Sequence, residues 1–398
     1  MGKVLKESKQ NIKQISVIGL GKLGLCMACV FATKYKVRGI DIDEKKLRQL
    51  YIRESPIEET GLQDLFDSVG ENITFDDDYG EVLHTDITFV IVPTPSEDDN
   101  SFYDGYVVGV VEELNKVLKR KKHMIVISST VMPGTIEKLQ KIVSSRVEIV
   151  YNPEFIALGS VIHDFQNPDI ILVGTDNIDV RCLIDIYRKV CKNEPYFITM
   201  KSKEAEIAKL SLNCYITMKI TFANMMYQLC NKAGVNAHRV CNGIGFDSRI
   251  GNKYLKPGMG YGGPCFPRDN KALVKYATDN GVALNLLRVV DDTNKDHWKM
   301  FVKMFLTKWY ANVAILGLAY KCGTHITEES QAMKIYDYLI EFGHKVNVYD
   351  PHVKMLGSYK TAQECVDASD VVLVCLPYPE FKKVDYKDKK VIDIWRCL

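Results

Sequence analysis

The chain has 398 residues, 46% of them hydrophobic and 26% charged, proportions typical of a globular protein long enough for two or three domains. Its 52 basic and 50 acidic residues leave a formal net charge of +2, which gives no sign of a nucleic-acid partner. The longest apolar runs, such as Ile87–Val92 and Val371–Leu376, are far too short to span a bilayer, so no membrane partner is expected.

The polar segment at the start of the chain, Met1–Gln10, lacks the apolar stretch of a secretory signal and is interpreted as a frayed tail. Twelve cysteines are scattered without a framework spacing, which favours reduced thiols and a cytoplasmic location. Cys26 and Cys29 form a CxxC, but both fall in an apolar helical segment. Packing in a core is therefore favoured for this pair over metal binding.

Short β-branched runs alternate with longer amphipathic segments along the first half of the chain. The predicted strands are Gln14–Leu20, Lys36–Asp41, Ile87–Val92, Met124–Ser129 and Val147–Tyr151. This alternation is typical of a parallel sheet with crossover helices. From Ser202 to Gly234 the sequence is helical with neither glycine nor proline inside it, and its length suits a spine between two domains that also supplies a dimer face.

The alternation returns after a glycine-rich segment at Gly258–Gly263. The strands predicted there are Asn312–Leu316, Lys345–Tyr349, Val371–Leu376 and Lys390–Ile394. The predicted fold class is α/β, with two Rossmann-like doubly wound parallel-sheet domains joined by a long central helix. The chain is accordingly divided into three parts, residues 1–201, 202–298 and 299–398.

A glycine-rich turn follows the first predicted strand, with Gly19, Gly21 and Gly24 in the pattern GxGxxG. The first glycine permits a tight turn, the second lets the backbone approach a pyrophosphate, and the third lets a helix pack close to the strand. Asp41 ends the second predicted strand, where a carboxylate binds ribose hydroxyls and repels a 2′-phosphate. The pattern predicts an NAD site, and the alternative is a glycine turn in a structural βαβ unit.

Lys209 and Asn213 lie four residues apart on the predicted long helix and therefore share one face. A lysine beside a reacting carbonyl stabilises an oxyanion or relays a proton. Taken alone, such a pair is usually part of a solvated helix face. The functional interpretation depends on the other motifs of the chain.

Four glycines precede Cys265 in the segment GMGYGGPC at 258–265, and they predict a backbone that a ligand can approach closely. Pro267 suits the first turn of a following helix, which places Cys265 just ahead of the helix N-terminus. The helix dipole and Arg268 favour a thiolate there, while Asp269 opposes it and is able to exchange protons. A buried structural cysteine is the alternative, and the glycine-rich surroundings favour catalysis.

Together these parts indicate a reaction class. A nicotinamide takes hydride from a carbon that bears oxygen, and a thiolate permits oxidation beyond the aldehyde by way of a thiohemiacetal and a thioester, which water opens. The sequence contains no HExxH or Cys/His cluster that indicates a catalytic zinc.

From about Ile15 to Arg396 the chain resembles the UDP-glucose 6-dehydrogenase family, whose relatives include GDP-mannose and UDP-N-acetylmannosamine dehydrogenases. The resemblance rests on GLGKLG at 19–24, GIDID at 39–43, PTP at 93–95, SSTVMPGT at 128–135, NPEF at 152–155, KLSLN at 209–213, DSRIG at 247–251, GYGGPCFPRD at 260–269 and GLAYKCGT at 317–324. It implies an NAD-binding domain at 1–201, a central dimerisation region at 202–298 and a nucleotide-sugar-binding domain at 299–398.

The resemblance also implies two successive oxidations of a nucleotide sugar with two NAD molecules, and UDP-glucose is the expected substrate. The residues it assigns to NAD are Gly19, Gly21, Lys22, Leu23, Gly24, Asp41, Thr94 and Thr130. Cys265 is then the nucleophile, and the residues that handle protons, the oxyanion and the hydrolytic water are Lys209, Asp269, Asn213, Thr130 and Glu154. The residues that hold the substrate are Glu154, Phe155, Lys209, Asn213, Arg249, Lys256, Tyr261, Gly262, Lys321 and Arg396. A homodimer or higher homo-oligomer is implied, because the arginine that matches Arg249 reaches the neighbouring subunit's site.

Two positions depart from the family's pattern. Many relatives carry an acidic residue four positions after the NPEF glutamate, where this chain has Leu158. If that acid tunes the hydrolytic water, hydrolysis here depends on Glu154, Lys209 and Asp269. Relatives also often carry arginine near the NAD pyrophosphate where this chain has Glu328, and the change of sign is expected to weaken cofactor binding.

Three alternatives to a UDP-glucose dehydrogenase stay open on the sequence. The first is a dehydrogenase of another UDP- or GDP-hexose. The second is a two-electron hydroxyacid dehydrogenase, which has an NAD domain and a helical Lys/Asn pair but needs neither Cys265 nor a second α/β domain. The third is a catalytically impaired nucleotide-sugar binding protein, motivated by Leu158 and Glu328.

Overall fold

Strands and helices alternate along the first half of the chain, and the structure, a computed structural model, describes residues 11–305 and 310–398. The strands are β1 (Gln14–Ile18), β2 (Lys36–Ile40), β3 (Ile73–Asp76), β4 (Ile87–Val90), β5 (His123–Ile127), β6 (Val147–Tyr151), β7 (Ile170–Gly174) and β8 (Tyr196–Met200). The helices between them are α1 (Lys22–Ala32), α2 (Glu44–Tyr51), α3 (Leu62–Val69), α4 (Gly105–Val117), α5 (Thr135–Ile142), α6 (Val161–Gln166) and α7 (Arg181–Val190). The frayed tail expected at Met1–Gln10 lies outside the described residues.

These eight strands form one sheet in the order β3-β2-β1-β4-β5-β6-β7-β8. The first six strands are parallel and follow the strand order of a dinucleotide-binding fold. The sheet then reverses direction, because β7 meets β6 as an antiparallel neighbour through the single pair Tyr151 and Gly174. The chain order switches between β1 and β4, and in open α/β sheets ligands bind in the crevice outside such a switch point.

The strands predicted in this half are confirmed, but several end earlier than expected. Leu20 is fully buried, which explains the longer prediction, yet its N–H donates to the Asp41 side chain rather than to a neighbouring strand. Gly19 has turned the backbone away from the sheet with a φ of 92°. The strands β3, β7 and β8 were not predicted; β8 carries the largely exposed Tyr196 and gives no buried apolar run.

Helix α1 is buried in a hydrophobic core that includes residues of the eight-stranded sheet. Every residue from Gly24 to Ala32 is buried, and neither Cys26 nor Cys29 has measurable exposure. The prediction that the CxxC is a packing feature is therefore confirmed. Burial raises the pKa of both thiols, to about 12 for Cys29, which keeps them protonated.

A helical region and a second sheet make up the rest of the described chain. The helices are α8 (Ser202–Lys232), α9 (Ala237–Gly245), α10 (Phe266–Asp279), α11 (Asn285–Asp296), α12 (Trp298–Phe305), α13 (Gln331–Glu341) and α14 (Ala362–Asp367). The strands are β9 (Asn312–Leu316), β10 (Lys345–Tyr349), β11 (Val371–Val374) and β12 (Lys390–Asp393), which form a parallel sheet in the order β10-β9-β11-β12. The long helix predicted at Ser202–Gly234 is confirmed to within two residues.

The second sheet contains the same kind of turn as the end of β1, in which an aspartate side chain accepts a main-chain N–H next to a glycine. Gly317 follows β9 with a φ of 93°, and its N–H donates to the Tyr349 carbonyl at 2.8 Å. The Asp350 carboxylate then accepts the Leu318 N–H at 2.7 Å and the His352 N–H at 2.8 Å. A buried aspartate at the end of the second strand therefore fixes the first strand-to-helix turn in both sheets.

The described chain divides into two compact units, the first ending at Lys209 and the second beginning at Leu210, inside α8. The three-part division at 1–201, 202–298 and 299–398 remains a prediction. Among the residues that the structure describes, no helix is long and apolar enough to cross a membrane.

Candidate active site

The turn between β1 and α1 is built so that each glycine is needed for a different reason. A Cβ on Gly19 would lie 2.7 Å from the Ile91 carbonyl oxygen, and one on Gly24 would lie 1.8 Å from the Gly19 oxygen. Gly21 is the N-cap of α1, and a Cβ there would meet nothing within 4 Å. The turn is therefore tightly packed at Gly19 and Gly24 and open at Gly21. The N–H groups of Lys22 and Leu23, the first residues of α1, point towards the open side.

Asp41 accepts three hydrogen bonds at the end of β2. Its Oδ2 accepts the Leu20 N–H at 2.7 Å and the Lys46 ammonium at 2.6 Å, and its Oδ1 accepts the Asp43 N–H at 2.9 Å. A carboxylate offers about four acceptor positions, so these donors leave room for one ribose hydroxyl. The residues of this crevice therefore fit NAD, which supplies the hydride acceptor when it is bound. Asp41 also stabilises the glycine turn through its hydrogen bond from the Leu20 N–H.

Alanine substitutions at Gly21 and Gly24 are expected to separate cofactor binding from folding. Gly21 has a φ of −72°, which alanine adopts without strain, so Gly21→Ala is expected to fold normally. Its methyl group obstructs the approach of a pyrophosphate, and the Kd for NAD should rise at least about tenfold. Gly24→Ala should lower the free energy of unfolding by about 1–3 kcal/mol, because its Cβ has no space. Thermal unfolding and NAD titration check both, and equal destabilisation by the two variants would contradict the assignment.

Two loops at the switch point are tied together. The Thr94 hydroxyl donates to the Thr130 carbonyl at 2.7 Å, and the Ser129 hydroxyl donates to the Val92 carbonyl at 2.7 Å. Thr94 is buried and Thr130 is half-buried at the carboxyl edge of the sheet. Both predicted NAD-contacting threonines therefore lie on the same edge as the glycine turn.

A second carboxylate site follows β6, at the NPEF block. The Tyr187 hydroxyl oxygen, on α7, lies 3.0 Å from Glu154 Oε1 and 2.5 Å from Asn152 Oδ1. Burial raises the pKa of Glu154 to about 7, although the Tyr187 hydroxyl and the Lys209 charge oppose the shift. Tyr187 was not singled out by the sequence, because 33 positions separate it from Glu154.

Lys209 is held beside this site by main-chain and aromatic contacts. Its ammonium donates to the carbonyl of Glu154 at 2.5 Å and lies 4.7 Å from the centre of the Phe155 ring. Lys209 is buried, so the cation depends on these partners. The predicted residues Lys209, Glu154 and Phe155 therefore lie together. Leu158 packs against the apolar core of the first unit.

Glu206, one turn before Lys209 on α8, is fully buried and was missed by the sequence analysis. Its two oxygens accept the Gly134 N–H at 2.6 Å and the Ile136 N–H at 2.8 Å, so it caps α5 and anchors the segment that follows Thr130. Burial raises the pKa of Glu206 to about 7, although these two donors oppose the shift. The only available signal was its spacing of three residues from Lys209.

Cys265 is the N-cap residue of α10 and is exposed, as predicted from Pro267 in the first turn. The other eleven cysteines are buried or half-buried. The positive end of the α10 dipole favours an anion at this position. Cys265 is therefore the thiol best placed for reaction with a ligand.

Asp269 follows Cys265 by one helical turn and is almost fully buried. Its Oδ2 accepts the Asn213 amide at 2.6 Å, and its Oδ1 lies 3.4 Å from Arg268 Nε. A buried carboxylate with two donors is held in one orientation. Asn213, Cys265 and Asp269 thus lie together in the second unit, as the sequence analysis expected.

The glycine-rich loop before Cys265 is held by buried side chains from the helices around it, namely Asn224, Asn294, His297 and Gln331. Asn294 binds both main-chain polar groups of Tyr261, accepting its N–H and donating to its carbonyl, each at 2.9 Å. These side chains make the hydrogen bonds to the buried loop backbone that a neighbouring strand makes in a sheet. No sequence pattern predicted them.

Three glycines of this loop are closely packed against protein atoms at the position where a Cβ would lie, while Gly260 and Gly262 also line a cavity, so the expectation that a ligand approaches this backbone stays a prediction. A Cβ on Gly258 would lie 2.3 Å from the Trp395 ring, and one on Gly262 would lie 2.4 Å from the Glu329 carbonyl oxygen. Gly263 has a φ of 78° and faces the Tyr320 ring. A side chain at any of these three positions would therefore collide with neighbouring protein atoms.

A cavity of about 420 Å³ lies within the second unit. Four predicted substrate residues line it, Lys256, Tyr261, Gly262 and Lys321, together with the aromatic rings of Tyr254, Phe266, Tyr320 and Trp395. The ammonium groups lie over aromatic faces, Lys256 at 5.8 Å from Trp395 and Lys321 at 6.0 Å from Tyr320. Flat rings and two cations suit a ligand with an aromatic base and phosphate groups.

Two predicted substrate arginines are not in the lining of this cavity. Arg249 is exposed and forms a two-pronged ion pair with Asp247, with Nη2 to Oδ2 at 2.7 Å. Arg396 is exposed near the end of the chain. Glu328 is also exposed, and its carbonyl accepts the Gly263 N–H at 2.9 Å. Across residues 11–305 and 310–398, no group of three or more His, Cys, Asp or Glu side chains is arranged to hold a metal ion.

Comparisons with known proteins identify the family of this chain. Three sequence profiles of the UDP-glucose/GDP-mannose dehydrogenase family match in order, the NAD binding domain at 13–191, the central domain at 203–296 and the UDP binding domain at 314–398. A UDP-glucose 6-dehydrogenase of Haloferax volcanii is 32% identical over 94% of this chain and 93% of its own length. One of Rhizobium meliloti is 31% identical over 94% of this chain and 91% of its own.

Solved structures agree with the fold. A UDP-glucose dehydrogenase of Pyrobaculum islandicum superposes with a TM-score of 0.88 at 28% identity, covering 99% of this chain and 97% of that one. A UDP-D-ManNAc dehydrogenase of Pyrococcus horikoshii has a TM-score of 0.83 at 23% identity, covering 97% and 96%, and supports the fold alone. The prediction of two Rossmann-like domains is confirmed. Because three profiles match in order and a relative is 32% identical over most of both chains, the chain belongs to the UDP-glucose/GDP-mannose dehydrogenase family and is an NAD-dependent nucleotide-sugar dehydrogenase.

Proposed function

We propose that the chain oxidises the C6 hydroxymethyl group of UDP-glucose to the carboxylate of UDP-glucuronate, in two successive two-electron steps. The observation that carries this proposal is Cys265, the exposed cysteine at the N-terminus of α10 in an NAD-dependent dehydrogenase. Oxidation of an alcohol to an aldehyde needs no thiol, whereas a thiol permits further oxidation to an acid by way of a thiohemiacetal and a thioester. The cavity with two lysines and flat rings supports a nucleoside diphosphate as the handle of the substrate.

The thiol chemistry balances in three steps. The Cys265 thiolate adds to the C6 aldehyde and the oxygen takes a proton, which gives a thiohemiacetal. The thiohemiacetal carbon then loses a hydride to NAD⁺ and its hydroxyl group loses a proton to a neighbouring base, which gives a thioester. Water attacks the thioester carbon and gives up its two protons to a base and to solvent, the C–S bond breaks, and the carboxylate leaves while Cys265 regains its thiolate.

Each proposed polar residue has a role that its contacts support. Lys209, a buried cation, stabilises the developing oxyanion. Asp269, held by Asn213, exchanges protons near the sulfur. Glu154 takes a proton from the hydrolytic water, and Thr130 orients a water or the substrate oxygen. Lys256 and Lys321 neutralise the diphosphate.

We further propose that a second copy of this chain completes the site. The exposed side chains Tyr215, Phe222, Met225 and Leu229 recur every three, four or seven residues on α8 and form an apolar stripe. Such a stripe suits packing against the same helix of another subunit. The exposed Arg249 would then reach the neighbouring substrate, and the three-part division of the chain follows from this role of 202–298.

A panel of UDP- and GDP-sugars with NAD tests the proposed function. UDP-glucose is expected to yield two NADH per molecule and a carboxylate product. A larger kcat/KM for another hexose would change the substrate and keep the reaction. One NADH per substrate would indicate a two-electron dehydrogenase. Thermal stabilisation by UDP-glucose with no NADH over hours would indicate a binding protein.

A further inference from the structure

The single hydroxyl proton of Tyr187 is shared between two possible hydrogen-bond acceptors. Tyr187 is buried, and its hydroxyl oxygen lies within hydrogen-bond distance of two oxygen atoms, Asn152 Oδ1 at 2.5 Å and Glu154 Oε1 at 3.0 Å. Both are acceptors when Glu154 is ionised, yet a tyrosine hydroxyl carries a single proton. One of the two contacts must therefore be satisfied in another way.

The orientation of Asn152 is fixed by its other contacts. Its Nδ2 donates to the Leu172 carbonyl at 2.9 Å, and its main-chain N–H donates to the Ile127 carbonyl at 2.9 Å. Turning the amide over would place its oxygen against the Leu172 oxygen, with no proton between them. Oδ1 therefore faces Tyr187, and at 2.5 Å the tyrosine proton must lie between these two oxygens.

We propose that Asn152 and Tyr187 are positioning residues that set when Glu154 is ionised: Asn152 competes for the Tyr187 proton and so favours the protonated carboxyl, and Glu154 becomes a base when that proton turns from Asn152 to Glu154. With Glu154 protonated, it donates to Tyr187 and Tyr187 donates to Asn152, so each of the three oxygens takes part in a hydrogen bond. With Glu154 ionised, Tyr187 donates to the carboxylate, and Asn152 Oδ1 is left buried without a donor from Tyr187, which is unfavourable. This inference rests on the proposed function, since it concerns the step in which Glu154 accepts a proton.

The groups around Glu154 agree with a carboxyl that titrates near neutrality. Burial raises its pKa to about 7, while the Tyr187 hydroxyl and the Lys209 cation on α8 lower it. Cys191, at the end of α7, has its own pKa raised to about 11 by burial and by Glu154, and adds no charge. Burial and Glu154 also hold the pKa of Tyr187 well above its usual value, so the tyrosine stays protonated.

The consequence concerns hydrolysis alone. The water that opens the thioester loses a proton as its oxygen bonds to carbon and the C–S bond breaks, and only an ionised Glu154 is able to take it. Hydrolysis should therefore accelerate as pH rises through the pKa of Glu154 and level off above it. The hydride transfers that precede it do not need this carboxylate, so their pH dependence should be different.

Two substitutions are expected to move the midpoint of hydrolysis in opposite directions. Asn152→Ala removes the competing acceptor, leaves the tyrosine proton to the Glu154 carboxylate, and should lower the midpoint by about one pH unit. Tyr187→Phe removes the donor to the carboxylate, leaves burial unopposed on that side, and should raise the midpoint by about one pH unit. The full-length protein is mixed with UDP-glucose and NAD at pH values from 5.5 to 9. Thioester decay is followed by quenching and mass spectrometry, and NADH formation by absorbance.

Matched controls are Asn115→Ala and Tyr35→Phe in the same unit. Asn115 bonds main-chain groups of Ile142 and Ser144, and Tyr35 is a buried core tyrosine, so neither should move the midpoint. Should Asn152→Ala fail to fold, Asn152→Ser carries the same expectation. Unchanged midpoints, or shifts of both variants in one direction, would overturn the inference. A wild type that forms no thioester would overturn the proposed function instead, so the two failures are distinguishable.

Discussion

Replacing Cys265 by serine is expected to abolish the release of carboxylate product while leaving NAD binding intact. Serine keeps the size of the side chain and its place at the N-terminus of α10, but its hydroxyl is a far weaker nucleophile than a thiolate. The rate of UDP-glucuronate formation should fall on the order of 10³-fold or more. The measurement is product analysis by chromatography together with NADH counted per UDP-glucose.

The matched control for this substitution is Cys397→Ser. Cys397 is a half-buried thiol whose sulfur lies 3.4 Å from Asp393 Oδ1, a contact that a serine hydroxyl also makes. This variant should keep its activity. A Cys265→Ser enzyme that forms two NADH per substrate at the wild-type rate would rule out a thioester on this residue.

Replacing Asp269 by asparagine is expected to lower kcat by roughly 10²–10⁴-fold, the range for loss of a positioned proton-transfer group. An asparagine fits the same space. In the wild type the Asn213 amide donates to Asp269 Oδ2 at 2.6 Å, and the oxygen of the new asparagine is able to accept the same hydrogen bond. The change therefore removes a charge without removing the contact. The change also removes the anionic partner of Arg268, but that arginine is partly exposed to water, so the unfolding temperature should fall only slightly.

Steady-state kinetics and thermal unfolding of Asp269→Asn and Asp279→Asn together check this prediction. Asp279 lies on the same helix, is exposed and pairs with Lys275, so its loss should cost at most about 1 kcal/mol and leave kcat unchanged. A large fall in the unfolding temperature of Asp269→Asn with an unchanged kcat would show that Asp269 serves the fold alone.

The sequence was sufficient wherever the signal is local. Strand positions followed from runs of β-branched residues, because a buried parallel strand needs apolar side chains on both faces. The glycine turn was readable, since three glycines at fixed spacing meet steric demands set by neighbours in the chain. Cys265 was placed at the start of α10 by Pro267 alone. Strand ends were less certain, because Leu20 is as apolar as the residues of β1 although its N–H bonds to Asp41.

By itself, the sequence determined the two α/β regions, the long helix, the NAD turn, and the position of Cys265 at the start of α10. Only the tertiary structure decided which groups surround these parts. Asn213 meets Asp269 across 56 positions, Tyr187 meets Glu154 across 33, and Asn294 holds Tyr261 across 33. No spacing rule links residues that far apart, because their hydrogen bonds form only after helices have packed and excluded water from the polar groups between them.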